Sequence, residues 1–130
     1  MLSNSDESDA ERLSKAPKIE LEHCRLLGTI PWQRDLISPR TLDIARQIKA
    51  STINAGELDT RRVKTITLCA RTLPNMLNRL TACTLIVTPG DRDDIILACA
   101  LAETNGTPLA GLVLTGGLLP GDDVLRLCQK

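Results

Sequence analysis

The feature that most constrains this chain is the run Thr84-Leu-Ile-Val-Thr88, which is apolar without interruption and is stopped by Pro89-Gly90. A strand with one wet face alternates apolar and polar residues, whereas a continuous run of this length belongs to a strand buried on both faces, as in a parallel sheet. Similar segments flank it. Val63 to Ala70 is β-branched and alternating, and Leu109 to Leu114 is a second buried strand that ends at Thr115-Gly116-Gly117. Helical patterns separate the strands: Leu73 to Leu80, with Pro74 in its first turn, then a helix capped by Asp91 and running to about Glu103. Asn105 to Pro108 forms a turn, and Asp122 or Asp123 opens a last helix. Upstream, Cys24 to Ile30 reads as a short strand stopped by Pro31. Ser38 reads as an N-cap, with Pro39 at the first position of a helix spanning about 39 to 50. Its Leu42, Ala45, Ile48 and Lys49 fall on helical spacing, with Asp43 and Arg46 facing water. Strands alternating with helices require right-handed crossovers, so the expected fold is α/β, a three-layer sandwich with a mostly parallel sheet.

Composition narrows the function classes. Among 130 residues, 16 Lys and Arg balance 16 Asp and Glu, and the formal net charge is zero. Nucleic-acid and membrane-surface partners call for clustered basic excess and are not expected. The longest apolar run, Ile95 to Ala102, is less than half the ~20 residues of a membrane span. The opening MLSNSDESDAER lacks the basic and apolar regions of a signal peptide, so a cytoplasmic location is expected. Residues 1–20 read as a disordered acidic tail and residues 21–130 as the domain. Five cysteines without a CxxC pair, and a single histidine, His23, give no metal-ligand spacing; the thiols are expected to be buried and reduced. Trp32 is the only aromatic residue, which removes base stacking on an aromatic platform and leaves it as a packing anchor.

In an open parallel sheet, ligands sit beyond the carboxyl ends of the strands. Two strand-to-helix loops there have a suitable composition: Thr88-Pro89-Gly90-Asp91-Arg92 and Thr115-Gly116-Gly117. Glycines let a backbone approach a ligand, a helix N-terminus offers free N–H groups, and Arg92 supplies a fork for phosphate or carboxylate. Arg71, after the preceding strand, falls on the same edge. Each piece also has a plainer use. Asp91 serves as an N-cap, Gly116-Gly117 as a turn, and the acids Asp91, Asp93 and Asp94 weaken an anion site unless Arg92 offsets them. Neither GxxxxGK[ST] nor GxGxxG occurs, and no residues are assigned to catalysis or to a metal.

Asp91-Arg92 followed by Thr115-Gly116-Gly117 resembles the signature of the DRTGG domain. The surrounding stretches Gly28–Trp32, Arg61–Lys64, Cys69–Arg71, Pro74–Leu77 and Leu85–Arg92 are similar to the middle region of long bacterial phosphate acetyltransferases. The resemblance covers about residues 24 to 130. It implies a non-catalytic regulatory module that senses a nucleotide or small anionic metabolite, and it implies no cofactor. The partner would be a second copy in a homo-oligomer such as a dimer, or the rest of a larger acetyltransferase. A structural dimerisation or spacer domain without ligand is the alternative, and acetyl transfer by the chain itself a distant third. Relatives of this kind carry a P-loop-like domain before the match and a catalytic domain after it. The domain is therefore expected to be truncated at its C-terminus, short of a further strand.

Overall fold

The apolar runs do become parallel strands. The computed structural model describes residues 34–128. Strand β1 spans Thr65–Leu68, β2 Thr84–Pro89 and β3 Gly111–Thr115. They pair in the order β1-β2-β3, all parallel, with Ile66 opposite Leu85 and Leu85 opposite Gly111. The helices are α1 (Arg34–Ile37), α2 (Thr41–Gln47), α3 (Asp93–Thr104) and α4 (Asp122–Cys128). By contacts the chain divides into residues 1–37 and 38–130. Of the first unit only the single turn α1 is described, so the expectations for Cys24–Ile30, Trp32 and the acidic tail lie outside the described residues. The sheet and everything below belong to the second.

Neighbouring residues of β2 point to opposite faces, and this splits the core in two. Ile86 packs with Cys69, Met76, Ile95, Cys99 and Leu109 under α3. Leu85 packs with Val63, Ala110 and Ile44 of α2 on the other side. The result is helix, sheet and helix, an α/β architecture. Helix α4 lies beside α3. Helix α2 covers only part of its face: Ile66 and Leu68 of β1 share the side of Leu85 and Val87 yet stay exposed at 62% and 66%.

Several local expectations are corrected. Arg40, not Ser38, is the residue before the first turn of α2, and no side chain caps it. The helix begins at Thr41 because that residue is spoken for: its hydroxyl donates to the Ala110 carbonyl at 2.7 Å, and its methyl lies where a Cβ on Gly111 would approach to 2.9 Å. It ends at Gln47, short of residue 50. Lys49 turns to φ 54°, and the Ala50 and Lys49 N–H groups donate to the Ala45 and Arg46 carbonyls. These are the paired bonds of a Schellman ending, here without its usual glycine. Leu73 to Leu80 is not an α-helix but two 3-10 turns, Leu73–Asn75 and Leu77–Arg79, since Pro74 withholds a donor and Asn75 bonds back to Thr72. Strand β3 starts at Gly111 instead of Leu109 and runs through Thr115. Cys69 and Cys99 are buried, whereas Cys83 and Cys128 are half-buried; all four are free thiols.

Candidate functional site

Parallel pairing brings the ends of β1, β2 and β3 to one edge, so the segments carrying Arg71, Gly90-Asp91-Arg92 and Gly116-Gly117 meet there. The last two interlock. The Gly90 N–H donates to the Thr115 carbonyl at 3.1 Å, and a Cβ on Gly90 would fall 1.8 Å from the carbonyl oxygen of Leu118. Only glycine fits at this position. Gly116 and Gly117 are required for a different reason. Their φ angles are 82° and 69°, in open space, so backbone conformation and not crowding selects them, as a turn needs.

Arg92 is tied into the same edge. Its Nε and Nη2 donate to the two carboxylate oxygens of Asp94, each at 2.8 Å, and Nη2 also reaches the Arg71 carbonyl at 3.1 Å. The fork that the sequence offers to a phosphate or carboxylate thus already holds a carboxylate from its own helix. It also latches the loop after β1 to the start of α3. The side-chain bond from Arg92 keeps the Asp94 carboxyl below its ordinary range, and Asp94 in turn raises the Arg92 guanidinium. Asp91 is exposed and does not cap α3; Arg92 stands at the N-cap, and Asp93 and Asp94 fill the first turn.

Beneath the loops sit two groups that are not among the expected site residues. Cys69 is fully buried, and burial pushes its thiol up, offset in part by Arg92. Thr88, also fully buried, has a hydroxyl with no hydrogen-bond partner among the described residues. In the sequence Thr88 is an ordinary β-branched strand residue, and nothing marks its oxygen as stranded. Arg71 is exposed, and its guanidinium has no partner among the described residues, which leaves it as the free cation of this edge. Among the described residues no group of His, Cys, Asp and Glu could hold a metal ion, and no helix is long and apolar enough to cross a membrane.

Residues 43–130 match the DRTGG domain along most of the chain, through both interlocked loops. The chain belongs to the DRTGG-domain family. This DRTGG domain is also 48% identical over 120 residues to a phosphate acetyltransferase of Pseudomonas aeruginosa, covering 92% of the chain and 17% of that protein. The corresponding values for the phosphate acetyltransferase of Pseudomonas putida are 47% over 129 residues, 96% and 19%. For that of Escherichia coli they are 38% over 128 residues, 96% and 18%. The DRTGG chain spans less than a fifth of the length of these relatives. No solved structure matches it.

Proposed function

We propose that this DRTGG chain is a non-catalytic regulatory module of cytoplasmic acetyl-CoA and acetyl phosphate metabolism, working beside the acetyl-transferring part of a phosphate acetyltransferase. It takes a nucleotide or small anionic metabolite at the carboxyl edge of the sheet. The observation that carries this reading is Arg71. A guanidinium that is exposed and has no partner among the described residues stands on a loop whose own carbonyl is held by Arg92, beside the interlocked signature loops. An incoming anion would find one free cation and a rigid surround.

A thermal-shift series with adenine nucleotides, NADH, pyruvate, acetyl-CoA and inorganic phosphate tests it. A ligand at ~100 times its Kd adds about 2.7 kcal/mol, a shift of several degrees or more for a domain of this size. The expected result is a clear shift with one compound, lost in Arg71→Ala. A flat series, or a shift indifferent to Arg71, overturns the reading.

Ile66 and Leu68 favour a second reading, a dimerisation or spacer domain without ligand. They place an exposed apolar pair on the outer strand of the sheet, where another chain can pair or pack. Sedimentation separates the two readings: Ile66→Lys dissociates a dimer built on β1 and leaves ligand binding at the other end of the loops intact.

A further inference from the structure

We infer that the opposite edge of the sheet, the outer side of β3, accepts an extended strand of a partner polypeptide bearing a basic residue at one end. This rests on features separate from the Arg71 edge. Among the described residues no strand pairs with that side of β3. In β3 itself the Gly90 N–H meets the Thr115 carbonyl at 3.1 Å, so Thr115, Val113 and Gly111 face β2 and, by alternation, the backbone groups of Leu112 and Leu114 point outward.

The edge is not simply open to water. It forms the floor of a groove of about 780 Å³, walled on one side by Ile44, Ile48 and Ile53 and on the other by Leu118 and Leu125. Apolar walls on both faces are what a buried parallel strand requires, and a row of outward N–H and C=O groups is what strand addition uses. A small apolar molecule would fill the walls but leave those backbone groups unmatched. A second copy fits poorly. Walls that stand beyond β3 on each protomer would meet before the two strands approached to ~4.8 Å.

One end of the groove sets the charge of the occupant. Arg61 donates to Glu57 at 2.7 Å and to Glu103 at 3.3 Å, and Glu103 also accepts the Leu109 N–H at 2.7 Å. All three ionised residues line the groove, two carboxylates against one guanidinium. The excess negative charge selects a lysine or arginine on the strand that lies there.

The probe is a fluorescein-labelled, end-blocked peptide, Lys-Val-Thr-Val-Thr-Val-Thr, titrated with the whole chain and followed by anisotropy. Saturable micromolar binding is expected, with at least a tenfold loss for the same peptide beginning in glutamate and for Glu57→Gln. Leu114→Pro removes an outward donor and is expected to abolish binding. Ile48→Asp, at an exposed wall position, does the same without touching the sheet, so the test survives if the proline variant unfolds. Slowed hydrogen exchange at the Leu112 amide on binding completes the expected pattern. Absence of saturable binding by the folded chain overturns the proposal. So does binding indifferent to both variants, or a dimer that Ile48→Asp dissolves.

Discussion

The carbonyl oxygen of Leu118 occupies the space that a side chain on Gly90 would need, 1.8 Å from the position of a Cβ. The two halves of the DRTGG signature are therefore joined by backbone, and the glycine between β2 and Asp91 is a contact surface as much as a hinge. Gly90→Ala must push the loop after β3 away and break the bond to Thr115. A destabilisation of about 3 kcal/mol is expected in urea unfolding, at the upper end for overpacking. Gly116→Ala meets no neighbour and carries only the left-handed backbone penalty, about 1 kcal/mol. Equal losses in the two variants would contradict the interlock.

Thr88 offers the reverse experiment. Its buried hydroxyl has no partner among the described residues, so the fold carries a desolvation cost without a compensating bond. Thr88→Val keeps the shape and removes the oxygen. Stability should rise by about 1 kcal/mol, read as a higher urea midpoint at unchanged slope. A lower midpoint would mean that the hydroxyl has a partner after all.

The strands of the parallel sheet are legible in the sequence because strands buried on both faces write continuous apolar runs, and Thr84 to Thr88 and Leu109 to Leu114 do so. The loops of the carboxyl edge are legible for the same reason, since Gly90, Gly116 and Gly117 punctuate those runs. What the sequence does not display is direction. Arg92 points at Asp94 and the Arg71 carbonyl only because the backbone turns into α3 one residue later than Asp91 suggests. Met76 looks like part of a helical face, but its burial is reached through two short 3-10 turns, which periodicity cannot distinguish from one helix.

At Lys49 the helix α2 is closed by a residue at φ 54°, where a side chain is strained and glycine is not. The Lys49 side chain is exposed and has no partner among the described residues. Lys49→Gly should stabilise the domain by up to about 1 kcal/mol, raising the melting temperature, despite the added freedom of the unfolded chain. Lys49→Val, β-branched at the same φ, should lower it.

Acid and base limbs of stability come from different groups. Asp94 has its carboxyl lowered by the bond from Arg92. Its contribution is present above the ordinary carboxylate range and lost as pH falls through the lower native value, so Asp94→Asn should flatten the acid limb. Cys99 works with opposite sign. Burial pushes its thiol from 9.0 up to about 12, so the native state keeps the proton that the unfolded chain releases first. The contribution is complete below pH 9 and disappears as pH rises toward 12. Over that window the loss is on the order of 4 kcal/mol, from three pH units of differential protonation. Cys99→Ala opens a small void and lowers stability at pH 7, yet its stability should decline less steeply between pH 9 and 12. Parallel pH curves for the two proteins would show that Cys99 ionises as freely in the fold as outside it.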